Sequence, residues 1–205
     1  MSNRIVKTSK ALSESEFSLS GKLLVAAPHY DDAIFGQTVC LVVHHTSEGA
    51  VAIVLNRGFR DEAEGLREHL SSGGLELREG VLHLGGPDSG PVVALHDCDE
   101  LAEFEPAEGV YMAAQIESLR ALVAASAKED SDSSSALKII VGQADWKAGQ
   151  LDAQFAEGKW YPLPVSSDLV FVDPCLMWPA ALCRVGNQLV FNMTKAARPA
   201  HVLCN

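Results

Sequence analysis

Residues 142–163 read GQADWKAGQLDAQFAEGKWYPL, and this stretch decides the fold. It follows an apolar run at residues 137–141 that predicts a buried strand. Residues 149–156 predict a short helix that Gly158 ends, and residues 159–163 predict an extended segment bounded by prolines. Because turn residues, an amphipathic helix and two tryptophans follow one another so closely, we expect this stretch to form one wall of a pocket.

Upstream, short apolar runs separated by Gly, Pro and Ser predict strands. They lie at residues 22–27, 38–45, 50–55, 81–84, 91–96 and 110–113. The TSEG turn after residue 45 predicts a hairpin of the second and third runs, which should lie centrally in the sheet because both runs are apolar on both faces. The GGPDSG segment predicts a second hairpin that joins residues 81–84 to residues 91–96.

Amphipathic patterns predict helices at residues 61–70 and 116–125. Pro174 and Pro179 are each typical of a first helical turn, and Gly186 predicts the end of the helix that follows. Residues 189–193 are compatible with a short strand. Because strands and helices interleave without a repeating βαβ period, the pattern favours a mixed α+β fold.

The length of 205 residues and the hydrophobic fraction of 47% are those of one globular domain. Residues 1–20 are polar and predict an N-terminal arm, and residues 21–205 predict a single domain. Inside that domain, KEDSDSSS at residues 128–135 predicts a flexible surface loop. No apolar run reaches the ~18–20 residues of a membrane helix, and the first twenty residues lack the apolar core of a signal peptide. We therefore expect a cytoplasmic protein without a membrane partner.

The charge balance bears on the class of partner. The formal net charge is −11, from 27 acidic and 16 basic residues, which repels a phosphate backbone and disfavours direct nucleic-acid binding. Short basic clusters lie near both termini. They comprise Arg4, Lys7 and Lys10 in the first and Lys195, Arg198 and His201 in the second. Solubilising termini are the simpler interpretation of these clusters, and a DNA-binding arm is the alternative.

Three segments, in the same order along the chain, resemble the AlgH/YqgE family of bacterial proteins. They are GKLLVAAPHYDDAIFGQTVCLVVHHTSEGAVAIVLNR at residues 21–57, LHLGGP at residues 82–87 and VGQADWKAGQLDAQFAEGKWYPLP at residues 141–164. In the third segment the matching positions are Gly142, Ala144, Trp146, Gly149, Gln150 and Leu151. The sequence departs from the family pattern at Ala33, which replaces a proline, and at Asp145 and Lys147, which replace glycines.

The resemblance implies a one-domain α+β protein. Its mixed, largely antiparallel, bifurcated sheet would fold into a pseudo-barrel with flanking helices. The resemblance implies little about activity. A role in transcriptional regulation has been attached to the family without a defined DNA-binding motif.

No pattern in the chain predicts a catalytic, metal or cofactor site. A nucleophile elbow of the form GxSxG is missing, and Gly85-Gly86-Pro87 is too short for a phosphate-binding loop. Histidines and aspartates do occur near one another, at His29, Asp31, Asp32, His44 and His45. Neighbouring residues on a strand point to opposite faces, so the last two cannot serve one metal without a bulge. We predict no catalytic residues, no metal and no cofactor.

Polar and aromatic residues at strand ends are the remaining candidates for a site. They are Asn56, Arg57, Gly85, Gly86, Trp146 and Gln150. We expect them to converge on one cleft for a small ligand or a peptide, with Arg57 as the anion anchor and Trp146 as an apolar wall. The alternative is that Trp146 belongs to the core, Gln150 bridges a loop and Asn56 closes a turn.

The sequence therefore favours a protein that binds a small molecule or a protein partner and is not an enzyme. One alternative is a transcriptional regulator that acts through a protein partner or a basic tail. A second alternative is a hydrolase or metal enzyme whose site no motif reveals.

Overall fold

The computed structural model describes residues 18–59, 64–127 and 136–197. Within them, nine strands form one sheet. The strands are β1 (Lys22–Ala26), β2 (Val39–Thr46), β3 (Gly49–Val54), β4 (Leu82–Leu84), β5 (Asp88–His96), β6 (Phe104–Ala107), β7 (Val110–Ala113), β8 (Leu137–Lys147) and β9 (Trp160–Pro164). The helices are α1 (Glu64–Ser72), α2 (Ile116–Ser126), α3 (Gln150–Ala156), α4 (Ser167–Val170) and α5 (Pro174–Ala197).

The strand order is β6-β7-β5-β8-β3-β2-β1-β9, with β4 paired to β8 off this path. The pairs along the path are antiparallel, and β4 pairs with β8 in parallel. Trp146 of β8 and Trp160 of β9 are separated by three strands in this order, yet their rings lie 6.2 Å apart. The sheet is therefore strongly curled, and the predicted α+β class with a mixed, largely antiparallel, barrel-like sheet is confirmed.

The sheet bifurcates at β8. One edge of β8 pairs with β5 from residue 137 to residue 143. The other edge is shared, because residues 139–141 pair with β4 and residues 144–147 pair with β3. Gly142, between these two portions, has a φ of 84°, in the left-handed region that favours glycine. A change of backbone direction at this residue lets one strand serve two neighbours on the same edge.

Two glycines allow the chain to cross this fork closely. A Cβ on Gly85 would lie 2.1 Å from the Gly142 carbonyl oxygen, and a Cβ on Gly86 would lie 2.1 Å from the Gln143 carbonyl oxygen. The Gly85 amide donates to the Val141 carbonyl at 2.8 Å, and its own carbonyl accepts from the Val54 amide at 2.7 Å. The LHLGGP motif thus ties both branches of the sheet to β8.

The predicted hairpin of β2 and β3 is confirmed, and it is central because neither strand lies at an end of the sheet. Alternate residues face different cores. Leu41 and Ile53 pack with α4 and α5, whereas Cys40 and Val54 pack with the tryptophans. Burial on both faces explains why these strands lack a polar side.

The predicted second hairpin is wrong. β4 and β5 follow one another in sequence, but β8 lies between them and pairs with both. Turn residues in GGPDSG suggested a local reversal, whereas the segment makes the crossing described above. A strand that comes more than forty residues later in the chain supplies the pairing, and no local pattern reveals it.

The predicted end of the last helix is also wrong. α5 begins at Pro174, as one of the two predicted starts, but it contains Pro179 and continues through Gly186 to Ala197. Residues 189–193 are therefore helical and do not form a strand. A helical glycine costs only about 1 kcal/mol relative to alanine, so one glycine does not end a long helix.

Other predictions are met within the described residues. α2 matches the predicted helix, while β6 was not anticipated. Asp32 accepts hydrogen bonds from the Ile34 and Phe35 amides at 2.9 and 2.8 Å and so caps the turn before β2. The loop at 128–135 and most of the N-terminal arm lie outside the described residues, so the division into an arm and a domain stays a prediction.

Replacement of Gly85 by alanine should destabilise the fold strongly. The new Cβ would collide with the Gly142 carbonyl and with the Ile140 side chain at 2.7 Å. We expect a loss of about 3 kcal/mol or more in the free energy of unfolding, since overpacking of this kind forces the backbone to shift. Urea unfolding followed by circular dichroism measures the loss.

Gly58→Ala is the matched control, because nothing lies within 4 Å of a Cβ at that position. An equal loss in both variants would contradict the close crossing at the fork.

Candidate functional site

An aromatic cluster occupies the inside of the curl. The indole N–H groups of Trp146 and Trp160 both donate to the Oε1 atom of Gln154, each at 3.0 Å. Phe35 stacks on Trp146 with centroids 5.2 Å apart, and Tyr30 meets Trp160 edge-on at 5.4 Å. Both indoles are buried, at 4% and 2% exposure. Trp146 therefore belongs to the core in this structure.

The hydrogen bond of Gln150 closes the turn before α3. Its Oε1 atom accepts from the Lys147 amide at 3.1 Å. Behind this turn, the Nε2 atom of buried His45 lies 3.3 Å from the Asp152 carboxylate, a distance of electrostatic contact without hydrogen-bond alignment. The His45 Nδ1 atom accepts from the Leu19 amide at 3.1 Å, which joins the start of the described chain to this corner.

Asn56 and Arg57 bind the loop that precedes β2. The Asn56 side chain accepts from the Val39 amide and donates to the Gln37 carbonyl, both at 2.9 Å. The Arg57 guanidinium donates to the carbonyl oxygens of Ile34 and Gly36, at 3.2 and 2.9 Å. Asn56 thus closes a turn, and Arg57 holds the loop that carries Phe35.

The structure brings some of the six predicted site residues together through their backbones. The Arg57 carbonyl accepts from the Leu84 amide at 2.8 Å, next to Gly85 and Gly86. Trp146 and Gln150 form a second group at the far end of β8. The four non-glycine side chains of the set each make a hydrogen bond within the protein. Ligand binding by the six residues stays a prediction.

A cleft of about 300 Å³ lies at the opposite end of β8. It is lined by Arg78, Gly80, Val81, His83, Ala136, Leu137, Lys138, Phe171, Val172, Asp173 and Pro174, and we call it the Lys138 cleft. The start of β8, the approach to β4 and the turn between α4 and α5 form its walls. It lies at the small end of the range for small-molecule pockets.

Lys138 is a buried cation in the floor of this cleft, with 5% of the residue exposed. Its Nζ atom donates to the carbonyl oxygens of Leu55 at 3.3 Å and Val172 at 3.4 Å. Burial lowers the pKa of Lys138 to about 8, against an opposing effect of the Asp173 carboxylate. A lysine perturbed by burial beside a named charge in a cleft is a candidate functional residue.

His83 lies beside Lys138 and is 2% exposed. Its partner in β8 is Ile140, which shares a face of that strand with Lys138. Burial and, secondly, the charge of Lys138 lower the pKa of His83 to about 4, so the imidazole is neutral at pH 7. Within the described part of the chain, its buried Nδ1 atom has no hydrogen-bond partner.

The rim of the cleft carries two exposed charges. Arg78 lies on the approach to β4, and Asp173 precedes α5. The Oδ1 atom of Asp173 accepts from the Cys175 amide at 2.8 Å and caps this helix. Because Asp173 and Pro174 both line the cleft, the positive end of the dipole of the 24-residue helix α5 lies beside it.

A second cavity of about 250 Å³ lies by the β2–β3 hairpin. Its lining includes Trp146 together with His44, Glu48 and Asp145. Of the six residues predicted from sequence, Trp146 lines this cavity and none lines the Lys138 cleft.

Sequence patterns missed Lys138 and His83. Lys138 lies in the apolar run at residues 137–141, whose overall pattern predicts a buried strand. A lysine is almost never fully buried without a partner, so its presence in a predicted core strand was itself the available signal. His83 stands in the LHLGGP motif, but nothing local distinguishes it from an ordinary core histidine.

Two further observations concern sites of other kinds. Among residues 18–59, 64–127 and 136–197, no group of three or more His, Cys, Asp and Glu side chains is placed to hold a metal ion. His45 is buried and His44 exposed, which agrees with their opposite directions on β2. None of the helices in the described residues combines the length and apolar character needed to cross a membrane.

Comparison with known proteins gives consistent matches. A model of the AlgH-like family matches residues 23–190. A UPF0301 protein of Thermobifida fusca is 32% identical over 193 residues, which cover 86% of this chain and 92% of that protein. A UPF0301 protein of Chlorobaculum tepidum is 30% identical over 182 residues, which cover 87% of this chain and 92% of that protein.

Solved structures show the same similarity. The solution structure of the AlgH protein from Pseudomonas aeruginosa is similar with a TM-score of 0.60 and 26% identity, over 93% of this chain and 100% of that chain. A crystal structure of a Corynebacterium diphtheriae protein gives a TM-score of 0.58 at 19% identity, over 83% of this chain and 89% of that chain. The second likeness concerns the fold alone.

Gln154→Ala should destabilise the aromatic cluster, because it leaves two buried indole N–H groups without their acceptor. We expect the free energy of unfolding to fall by about 1–3 kcal/mol. Urea unfolding followed by tryptophan fluorescence measures this loss. Gln154→Glu keeps a side-chain oxygen at the same position and should lose less. Equal losses in the two variants would show that the shared acceptor contributes little.

The lowered pKa of Lys138 predicts how stability depends on pH. Between pH 8 and 10.5 the unfolded lysine holds its proton and the folded one does not, so stability rises with pH by about 1.4 kcal/mol per unit. Lys138→Met lacks this rise. The unfolding free energy of the wild type should therefore increase relative to that of Lys138→Met as the pH rises from 8 to 10.5. Buried Cys40 and Tyr30, whose pKa values are raised to about 12, titrate in both proteins and cancel.

Urea unfolding at intervals of pH from 7 to 10 gives this difference directly. Lys147→Met, at an exposed position on the same strand, is the control and should run parallel to the wild type. Parallel curves for the Lys138 variant would contradict the burial of a charged amine.

Proposed function

The chain belongs to the AlgH-like family, and within it we propose that this protein acts by binding a small molecule in the Lys138 cleft without catalysing a reaction. The observation that carries the proposal is the buried ammonium of Lys138 in the floor of an open cleft. Structural lysines normally extend to solvent or pair with a carboxylate. This one is held by two carbonyl oxygens and lies where a ligand can reach it.

The lining supports a binding site over a purely structural cation. Leu137 and Phe171 supply apolar walls, and three of the described lining residues carry charges. A concave site that combines apolar walls with convergent polar groups is typical of ligand sites. The turn between α4 and α5, which carries Val172, contacts β8 through Lys138, so a ligand seated there would bridge the sheet and the helical layer.

The group predicted from sequence, Asn56 and Arg57 with the glycines, Trp146 and Gln150, is a separate proposal for the binding site. Its support is the proximity of Arg57 to the LHLGGP motif. Regulation of transcription through a protein partner or a basic tail, and hydrolysis or metal chemistry, are retained as alternative functions. A cytoplasmic location accords with the sequence and is likewise part of the proposal.

Equilibrium dialysis of the purified protein against a bacterial metabolite extract, followed by mass spectrometry of the retained compounds, tests the proposed site. We expect the wild type to enrich a small molecule and Ala136→Trp to lose it, because the bulky ring occludes the cleft without removing a charge. Ala148→Trp places the same ring on an exposed turn and should retain binding.

Other outcomes decide against the Lys138 cleft. Enrichment that survives Ala136→Trp but is lost in Arg57→Ala would place the site at the group predicted from sequence. If the wild type enriches no compound, the small-molecule function is wrong. Conversion of the retained compound during dialysis would show an enzyme.

A further inference from the structure

The Lys138 ammonium has an unused donor. Of its three N–H groups, two point to the carbonyl oxygens of Leu55 and Val172, at distances near the upper limit for hydrogen bonds. Among the described residues, no carboxylate lies within ion-pair distance of its Nζ atom. The third donor is therefore available on the side of the cleft.

His83 supplies a second, independent indication of a missing partner. Buried polar atoms in folded proteins are hydrogen-bonded in the great majority of cases. The Nδ1 atom of His83 is buried in the wall of the cleft and has no partner within the described residues. The ring is neutral at pH 7, so one nitrogen carries a proton and the other a lone pair.

The charges around the cleft indicate the sign of the missing group. Among the described lining residues, Lys138 and Arg78 are cationic, His83 is neutral and Asp173 is the one carboxylate. That carboxylate already accepts a hydrogen bond from the first turn of α5. The lining is thus cationic by one charge in a chain whose formal net charge is −11. The positive end of the α5 dipole adds to it.

We propose that the Lys138 cleft binds a small oxyanion, a carboxylate or phosphate group, through the third N–H of Lys138 and the guanidinium of Arg78, beside the neutral ring of His83. This rests on the proposed function, since it names the class of ligand for the same cleft. An anionic oxygen offsets the buried charge of Lys138, which carbonyl oxygens alone only partly compensate.

A neutral or cationic ligand fits less well. A cation would add to the charges of Lys138 and Arg78 in a partly desolvated site, where like charges repel strongly. A neutral amide would leave the ammonium without a counter-charge. Arg78 at the rim matches the planar, two-oxygen geometry of carboxylate and phosphate.

Isothermal titration calorimetry with malonate, malonamide and inorganic phosphate tests the class of ligand. Malonate and malonamide have the same carbon skeleton but differ in charge. We expect malonate or phosphate to bind and malonamide to bind at least about tenfold more weakly, as the loss of a charge-assisted hydrogen bond implies. The stronger of the two anions identifies the source of the oxyanion.

Three variants locate the binding. Lys138→Met should weaken the anion at least about tenfold, and Lys138→Arg, which keeps the charge, should retain most of the affinity. Lys147→Met removes the same charge from an exposed position on the same strand and should bind as the wild type does.

Each contrary result separates this inference from the proposed function. Equal binding of malonamide and malonate, both lost in Ala136→Trp, would keep the cleft and overturn the anionic ligand. Equal loss of anion affinity in the Lys138 and Lys147 variants would show that anion binding depends on the net charge of the protein and not on the position of Lys138. No binding of either anion by the wild type would overturn the inference, while a neutral compound retained from the metabolite extract would leave the cleft intact.

Discussion

One carbonyl oxygen closes the curled sheet. The Oε1 atom of Gln154 accepts from the indoles of two strands that are not neighbours, β8 and β9. A single oxygen with two lone pairs matches two donors, and each indole nitrogen is the only polar atom of its side chain. If the acceptor were absent, either the curl would open or two buried N–H groups would lose their partner. The shared hydrogen bond thus links α3 to both strands and stabilises the curl of the sheet.

The bifurcation of the sheet at β8 separates two regions of the molecule. Residues 144–147 run toward the aromatic cluster, and residues 137–141 run toward the Lys138 cleft. Gly142 separates them, with Gly85 and Gly86 crossing at the same level. The first region contains the hydrogen-bonded aromatic cluster, whereas at the second the His83 Nδ1 atom and one Lys138 N–H have no partner among the described residues. The aromatic cluster and the proposed ligand site therefore lie at different ends of one strand.

Local patterns in the sequence predicted the parts of the fold that depend on nearby residues. The β2–β3 hairpin has its turn and both apolar faces within eighteen residues, and the family motifs identified the barrel-like sheet. The pairing of β4 with β8 failed because it joins distant segments in parallel, and the passage of α5 through Gly186 failed because packing outweighs one weak propensity. The Lys138 cleft is formed by three segments that are distant in sequence, so no local pattern predicts it. The one signal in the sequence is a lysine within a predicted buried strand.

The late position of β8 in the chain has a consequence for biosynthesis. β3, β4 and β5 all leave the ribosome before residue 137, yet each of them pairs with β8. Until that strand emerges, two partial sheets with open edges exist side by side, joined by few backbone bonds. Open edges of this kind recruit other strands, and long-range pairing is slow to form. A chain that ends before β8 would thus present open strand edges, which favours association with other chains.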